Sequence, residues 1–324
     1  AVSSDTGGLV GPANGGTVLQ FSGAGFDRSK NYTCVFSRDE LEMRSNASVL
    51  STVLIQCTTP NWGATYASGN VNLGLAWMNR TLPNDCELSQ SCFFRFATQW
   101  QHVQPMRVDA SGGDDITVTG FGFEADASYL CVLSDGTYSI NATGIVLSPL
   151  ELVCTLPPWR YQASHANFSV VQLLAKCDGW CKSACISLCV KVHGANHSNY
   201  MLCVDKCIAN SSLAAGATIS LIPSASNTPL RVELLSGWTA HNRTKGAAKG
   251  GDVILIDGFG FDASSSSYVC EFTYRDTGVS SAAAAAVLSD VQLVCKSSWP
   301  HEAALTVLSL RKAHTPVPFR NATA

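Results

Sequence analysis

A glycine-rich stretch in the last third of the chain, GGDVILIDGFGF (250–261), has the residue types of a phosphate-binding loop. An apolar run precedes Gly258 and Gly260, and glycines at this spacing open the fingerprint by which dinucleotide-binding proteins approach a pyrophosphate. Such a loop occurs once and leads into a helix. Here the motif begins again at Gly15 and at Gly112, and each copy leads into another β-like segment. We therefore reject the nucleotide interpretation.

A cluster of cysteine and histidine residues near the middle of the chain has the residue types of a metal site. Its cysteines are Cys177, Cys181, Cys185, Cys189, Cys203 and Cys207. Zinc sites typically begin with a Cys-x-x-Cys turn, whereas most intervals here are one residue longer. His193 and His197 lie nearby, but Asn196 opens a glycosylation sequon beside one of them. We predict no metal ligands, and a zinc site is the alternative.

The spacing of these cysteines indicates a helix, because residues four apart share one helical face. The intervening HGANHSN (193–199) has the composition of a turn. Segment 176–211 therefore predicts a disulfide-stapled helical hairpin. The preferred pairs are Cys189–Cys203, Cys185–Cys207 and Cys177–Cys181, although six cysteines allow other connectivities.

Acidic residues follow the glycine motif in all three copies, as Asp27, Glu124 and Asp262. A calcium site would need about six oxygen ligands, and no neighbouring run supplies them. We expect these side chains to cap backbone amides of turns instead. Neither Gly-x-Ser-x-Gly nor His-Glu-x-x-His occurs. We predict no catalytic residue, no cofactor and no enzyme activity, with N-linked glycans as the only expected attached groups.

The three copies belong to one longer repeat. The second glycine of each Gly-Gly pair precedes Gly-x-Gly-Phe by seven residues, and each motif is followed by Tyr-x-Cys, a second cysteine and a tryptophan. The cysteine pairs are Cys34 and Cys57, Cys131 and Cys154, and Cys270 and Cys295. The recurring tryptophans are Trp62, Trp159 and Trp299, which we expect in the core; we expect Trp77, Trp100, Trp180 and Trp238 at the surface. Alternating strands and frequent turn signals indicate an all-β unit.

The repeat resembles the IPT/TIG family of immunoglobulin-like domains, which occur in plexin-type receptors. The resemblance rests on GPANGGTVLQFSGAGF (11–26), IQCTTP (55–60) and LVCTLP (152–157), with a looser version in LVCKSSWP (293–300). It implies an all-β fold of three tandem IPT/TIG β-sandwiches, with the helical hairpin inserted in the second. Because one sandwich serves many functions, the resemblance is poor evidence for function.

Three domains follow from the repeat. Domain 1 covers 1–104 and carries a small disulfide insertion at 79–92 with Cys86 and Cys92; domain 2 covers 105–227 and carries the insertion at 176–211; domain 3 covers 228–324. VPFRNATA (317–324) is similar to CFFRFATQ (92–99), which predicts an equivalent last strand.

Cysteines and sequons indicate an oxidising, extracellular location. The 14 cysteines are an even number, as complete pairing requires. The nine Asn-x-Ser/Thr sequons begin at Asn31, Asn46, Asn79, Asn141, Asn167, Asn196, Asn210, Asn242 and Asn321. A net charge of −3 argues against nucleic acid as a partner, and no apolar run is long enough for a membrane span. The chain begins with Ala1, so we expect a processed or trimmed product.

These features predict a secreted or cell-surface glycoprotein that acts as a structural or adhesive rod. Edge strands of sandwiches offer a route to self-association into a surface filament or extracellular matrix. The alternative is the ectodomain of a receptor or adhesin that binds another surface protein or a glycan.

Overall fold

A computed structural model describes residues 2–4, 9–78, 80–83, 93–174, 217–221, 223 and 230–320. Over these residues the chain forms 25 β-strands and one 3₁₀ turn, Trp62–Ala64. The strands divide into three groups, which we call units 1, 2 and 3.

Unit 1 contains nine strands. They are β1 (Val2–Ser4), β2 (Val10–Pro12), β3 (Val18–Ser22), β4 (Tyr32–Arg38), β5 (Leu41–Ser51), β6 (Leu54–Thr58), β7 (Gly69–Trp77), β8 (Arg80–Thr81) and β9 (Phe93–Ala97). In hydrogen-bonding order they run β1-β3-β6-β5-β4-β7-β9-β2, and β8 pairs with the end of β7.

Unit 2 also contains nine strands. They are β10 (Gln99–Gln104), β11 (Arg107–Asp109), β12 (Asp115–Phe121), β13 (Ser128–Ser134), β14 (Ser139–Ser148), β15 (Glu151–Thr155), β16 (His165–Leu174), β17 (Ala217–Ser220) and β18 (Arg231–Leu235). Their order, β10-β12-β15-β14-β13-β16-β18-β11 with β17 on β16, repeats that of unit 1 strand for strand.

Unit 3 contains seven strands. They are β19 (Gly237–His241), β20 (Val253–Phe259), β21 (Tyr268–Tyr274), β22 (Ser280–Ser289), β23 (Gln292–Lys296), β24 (Thr306–Lys312) and β25 (Thr315–Val317). The order is β19-β20-β23-β22-β21-β24-β25.

Each unit is a two-layer sandwich, because one long strand passes from layer to layer. In unit 1 the first half of β5 pairs with β4 and its second half pairs with β6. Alternate residues of the strands point into the space between the layers, as a half-buried strand requires. The interior is aromatic and aliphatic, and its largest fully buried side chains include Trp62, Trp159 and Tyr129.

One disulfide joins the two layers of each unit. The bonds are Cys34–Cys57, Cys131–Cys154 and Cys270–Cys295, with sequence separations of 23, 23 and 25. All six cysteines are buried. Closing a loop of this length stabilises the folded state by about 3 kcal/mol in the chain-entropy model. The other eight cysteines lie outside the described residues.

The predicted fold class is wrong in its helical part. The residues that the structure describes are all-β and contain no α-helix, so no helical hairpin is found among them. The spacing of the cysteines at 176–211 permits a shared helical face, but a short helix also needs an apolar partner surface to be stable. Residues 176–211 themselves, with the preferred cysteine pairs, lie outside the described residues.

Strand pairing shows where each unit begins and ends. β10 at Gln99–Gln104 pairs with β12, and β18 at Arg231–Leu235 pairs with β16, so both strands belong to unit 2. Unit 2 therefore extends beyond the predicted range 105–227 at both ends. Only Thr98 separates β9 from β10, and only Ser236 separates β18 from β19.

Candidate functional site: the joints between units

The Gly-x-Gly-Phe motif closes the end of each sandwich through an aromatic pair. Its Phe meets the Tyr of Tyr-x-Cys edge-on in every unit. The pairs are Phe26–Tyr32, Phe123–Tyr129 and Phe261–Tyr268, with ring centroids 5.8, 5.6 and 5.8 Å apart. The Tyr hydroxyl accepts a hydrogen bond from the amide N–H of the acidic residue that follows the motif. Gly-x-Gly-Phe and Tyr-x-Cys are therefore separate motifs in the sequence that contact each other in the same way in every unit.

Burial changes the chemistry of one of these tyrosines. Tyr129 is fully buried, and this burial raises the pKa of its hydroxyl to about 12. The neutral phenol is favoured because an interior of low dielectric disfavours its charged form. Tyr129 is therefore a structural hydrogen-bonding group at neutral pH.

Two of the three repeated acidic residues are turn caps. Asp27 Oδ1 accepts hydrogen bonds from the amide and the hydroxyl of Ser29, and Asp262 Oδ1 does the same with Ser264. These side-chain hydrogen bonds lower the pKa of each Asp below 3.8. Lys312 Nζ, 3.0 Å from Asp262 Oδ2, acts in the same direction. Among the described residues no cluster of acidic, His or Cys side chains has the size of a metal site.

Glu124 differs from the two aspartates because it takes part in a contact between units. Its carboxylate accepts a hydrogen bond from the Ser68 hydroxyl of unit 1. Ser68 is buried, and its Oγ also lies 2.6 Å from the Thr98 hydroxyl. The acidic residue of the second copy therefore contributes to the boundary between units 1 and 2.

The first joint is built from backbone atoms of the second glycine motif. Gly122 N donates to Gly63 O at 3.1 Å, and Ser68 N donates to Gly122 O at 2.9 Å. The Thr98 hydroxyl donates to the same carbonyl oxygen at 3.2 Å. Since Gly122 belongs to unit 2 and Gly63 and Ser68 belong to unit 1, these hydrogen bonds hold the units end to end.

This approach requires glycine on both sides. Gly122 has a φ of +78°, and a Cβ placed on it would lie 2.9 Å from the Cβ of Ala13. A Cβ on Gly63 would lie 2.7 Å from the amide nitrogen of Gly122. Any larger residue at either position would force the two backbones apart.

The variable residue of Gly-x-Gly-Phe carries an apolar contact across the joint. In unit 2 it is Phe121, which packs against the core of unit 1. In unit 3 it is Phe259, which belongs to the buried core of unit 2. In unit 1 it is Ala24, which is exposed. The residue type at this position therefore differs between the two joints inside the chain and the end of unit 1 that carries Ala24.

The second joint follows the same plan. Ala163 N donates to Gly260 O at 3.0 Å, and Gly260 has a φ of +69°. A Cβ on Gly260 would lie 3.1 Å from the Cβ of Ala163. An ion pair adds to this joint, since Arg320 Nε of unit 3 lies 2.9 Å from Asp109 Oδ2 of unit 2.

A comparison with protein families identifies part of the chain. The model of the IPT/TIG domain matches residues 100–184, which begin within β10 and include β16. The chain contains an IPT/TIG domain. This confirms the resemblance for unit 2, whereas family membership of units 1 and 3 stays a prediction that their shared strand order supports. A comparison with curated protein sequences finds no match.

Several solved structures are similar to the chain at low sequence identity. The full extracellular region of plexin A4 is 14% identical, with 98% of this chain and 22% of that chain covered and a TM-score of 0.25. A tetra-tandem repeat from the extending region of a large adhesion protein is 11% identical, with 95% and 68% covered and a TM-score of 0.26. The chicken CNTN1 FN1–FN3 domains are 9% identical, with 96% and 90% covered and a TM-score of 0.23. The chain spans about a fifth of the length of the plexin chain.

The sequons that fall on described residues of the three units lie on the surface. Asn31, Asn46, Asn141, Asn167 and Asn242 are all exposed. The remaining four, at 79, 196, 210 and 321, lie outside the described residues. In the part of the chain that the structure describes, no helix is long and apolar enough to cross a membrane.

The tryptophans correct one prediction. Trp62 and Trp159 are buried as expected and Trp299 is partly buried, but Trp100 and Trp238, expected at the surface, are only 3% and 6% exposed. Trp100 and Trp238 occupy matching positions in the first strands of units 2 and 3, so they too recur in the repeat. A sequence signal for the joints is the variable motif position, which is Phe in units 2 and 3 but Ala in unit 1.

Proposed function

We propose that the protein is an extracellular, N-glycosylated, non-enzymatic structural or adhesive protein whose three IPT/TIG-type units form a semi-rigid rod. The construction of the two joints carries this proposal. Each joint combines hydrogen bonds between backbones, a positive-φ glycine and a Phe that reaches the neighbouring core. Units that share buried contacts of this kind have less freedom to move than units joined by an exposed linker.

The extracellular part of the proposal rests on covalent chemistry. Three disulfides connect the layers, and such bonds persist in oxidising compartments. Five sequon asparagines are exposed, as glycan attachment requires. Expression through a secretory pathway should give a product whose mass falls after enzymatic removal of N-glycans. Alkylation without reduction should label no cysteine. A protein without glycans and with labelled thiols would contradict this part.

Small-angle scattering tests the rod. We expect the intact glycoprotein to scatter as a single elongated particle. The Gly122→Leu variant should scatter as a more flexible chain, because the side chain cannot fit against Ala13. Gly25→Leu is the matched control, since a Cβ at Gly25 meets no atom within 4 Å. A wild-type curve typical of freely jointed units would contradict the proposal.

In the first form of this proposal the rod associates with copies of itself, as the subunit of a surface filament or matrix. In the second form the chain is a receptor or adhesin ectodomain that binds another surface protein or a glycan. Light scattering behind size exclusion, with electron microscopy of each fraction, separates the two. Regular filaments would establish self-association, and a monomer at micromolar concentration would favour a foreign partner.

A further inference from the structure

One strand position that is filled in units 1 and 2 is empty among the described residues of unit 3. In unit 1, β9 pairs with the beginning of β7 and then with β2. In unit 2, β18 pairs with the beginning of β16 and then with β11. The last strand of unit 3, β25, instead pairs with the end of β24, from Leu310 to Lys312.

β25 therefore corresponds to β8 and β17, which pair with the ends of β7 and β16. A second contact supports this assignment. Pro223, after β17, forms a bridge with Trp100, and Phe319, after β25, forms the same bridge with Trp238. The predicted equivalence of 317–324 with 92–99 is therefore wrong, and no described residue pairs with Thr306–Leu308 on the side away from β21.

A groove occupies the empty position. It has a volume of about 450 Å³ and is lined by residues 245–248 on one side and by Ala304–Thr306 with Leu308 on the other. Ile254, Phe272 and Trp299 also line it. Residues 245–247 hold the place of β2 and β11, because Gly250 N donates to Ala247 O as Gly15 N does to Pro12 O. Without a neighbouring strand, 245–247 form no strand themselves.

The occupants of this position in the other units define what the groove would bind. β9 contributes Phe94 and Phe96 to its core, and β18 contributes Val232 and Leu234, all at most 3% exposed. In both strands two apolar side chains alternate with outward-facing residues. The groove therefore fits an extended segment with apolar residues at two alternate positions.

The backbone of β24 presents the matching hydrogen-bonding groups. In unit 2, Phe168 N donates to Leu230 O and Leu234 N donates to Ser164 O, so even-numbered residues of that region face β18. Their counterparts in unit 3 are Leu308 and Ala304, because Phe168 pairs with Leu133 as Leu308 pairs with Phe272. Thr306, between them, has its backbone groups directed at the groove. The backbone groups on the other side of β24 are already paired with the β21 side, since Arg275 N donates to Leu305 O.

The outer face of this edge is apolar only in unit 3. Leu305 and Val307 are 71% and 54% exposed. The equivalent residues are Asn70 and Asn72 in unit 1 and His165 and Asn167 in unit 2, all exposed. Proteins usually protect open edges with polar or charged residues, so exposed apolar side chains here indicate a surface that is covered.

We propose that the groove of unit 3 is a strand-acceptor site for an extended segment of a different protein. The segment pairs antiparallel with β24, places two alternate apolar side chains over Phe272 and Trp299, and belongs to a partner that covers Leu305 and Val307. Strand addition to an open sheet edge is a general mode of peptide recognition.

Two observations favour a foreign partner as the source of the strand. In units 1 and 2 this position is filled by β9 and β18 from the same chain, and the exposed residues of the adjacent strand are polar. A strand from the same chain therefore does not explain why Leu305 and Val307 are apolar. A second copy that docked end to end would present Ala24, which lacks the aromatic ring that Phe121 and Phe259 supply at both joints. The proposal rests on the adhesive function proposed above and names its partner site.

A peptide that copies β18 tests the site directly. The probe is dye-labelled PLRVELLS, residues 229–236, added to the intact chain and followed by fluorescence anisotropy. The control peptide carries Val232→Asp and Leu234→Asp. We expect the first peptide to bind at least tenfold more tightly than the control, and to raise the melting temperature by about 5 °C near saturation. Equal binding of both peptides, or binding of neither, would overturn the proposal.

Two protein variants locate the binding. Thr306→Pro removes the amide that faces the groove and should reduce affinity for the peptide about tenfold, whereas Thr306→Val keeps that amide and should bind normally. Because Thr306→Pro can also disturb folding, hydrogen exchange on the unsubstituted protein provides a second readout. The amides of Thr306 and Leu308 should become protected when the peptide is added. Protection elsewhere, with no change at these two, would contradict the assignment.

The oligomeric state decides between sources of the strand. We expect the glycoprotein without peptide to contain no dimer held by this edge. A dimer that the β18 peptide dissociates would show that a second copy occupies the groove, and the foreign partner would be rejected. Failure of peptide binding leaves the rod and its glycans untouched, so it is distinguishable from failure of the proposed function.

Discussion

Units 2 and 3 share the order of their first six strands, but the described residues of unit 3 contain no counterpart of β18 or of β11. In unit 2, β18 lies between β16 and β11 and buries Val232 and Leu234. In unit 3 the same place is a groove, and Trp299 is only partly buried where Trp159 is 2% exposed. The remaining core of unit 3 is nevertheless closed, with Phe261, Tyr268 and Cys270 fully buried.

This difference shows which parts of the sandwich are essential to it. Both units contain the disulfide, the Phe–Tyr pair and four central strands, which are β12–β15 in unit 2 and β20–β23 in unit 3. These features form the common core. The strand beside β16 or β24 completes the core but does not determine the topology. A position of this kind can therefore serve binding in one unit and stability in another.

The largest effect should come from making unit 2 resemble unit 3. Leu234→Ala removes a buried side chain from β18, and we expect it to lower the free energy of unfolding of unit 2 by about 3 kcal/mol. Leu305→Ala, at the open edge, should change stability by less than about 0.5 kcal/mol because its side chain is 71% exposed. Denaturant unfolding followed by hydrogen exchange measures both. Comparable losses in the two variants would contradict an open edge in unit 3.

A smaller effect should distinguish glycine in the first joint from glycine at the end of unit 1 that carries Ala24. Gly122→Ala combines a positive φ with contacts of 2.9 Å to Ala13 and 3.0 Å to Ser68, and we expect a loss of about 2 kcal/mol. Gly25→Ala has a similar φ of +75° and no atom within 4 Å, and should cost about 1 kcal/mol. Thermal unfolding of both variants gives the difference. Equal losses would mean that strain alone, and not the joint, requires glycine.

The smallest effect concerns the loss of stability at low pH when the turn-capping aspartates become protonated. The pKa values of Asp27 and Asp262 lie below 3.8 in the folded state, so each carboxylate stabilises the fold above pH 3.8 and loses this effect as the pH falls through its lower folded value. Asp262→Asn should therefore weaken the dependence of melting temperature on pH as the pH falls below 3.8. Ser264→Ala, which removes the principal hydroxyl donor, should act in the same direction. An unchanged dependence in both variants would contradict the assigned cause.

Much of the fold could be predicted from the repeat. The spacing of Tyr-x-Cys, the second cysteine and the tryptophan predicted an all-β unit with its own disulfide, and the structure has one such bond in each unit. The IPT/TIG resemblance is confirmed over 100–184. The helical part of the predicted fold class was wrong for the described residues, which contain no α-helix, because a four-residue spacing is a local pattern that carries no information about a partner surface.

The candidate site was harder to predict from the sequence. The glycine motif was recognised as a turn, but its role in the joints depends on Gly63, Ser68 and Thr98, which belong to no motif and lie 24 to 59 positions before Gly122. The groove could not be predicted from the sequence, because VPFR (317–320) is similar to the segment that contains β9. β25 nevertheless pairs with the end of β24, whereas β9 pairs with the beginning of β7.

The sequence by itself determined the repeated unit, its cysteine pairs and the turns that end its strands, because local spacing and backbone preference specify these features. Only the tertiary structure decided where Phe121 and Phe259 pack and that β25, among the described residues, leaves one strand position beside β24 empty. Those outcomes depend on contacts between residues far apart in the chain. Their free energy arises when the sandwiches close and meet end to end, and no pattern within one strand records it.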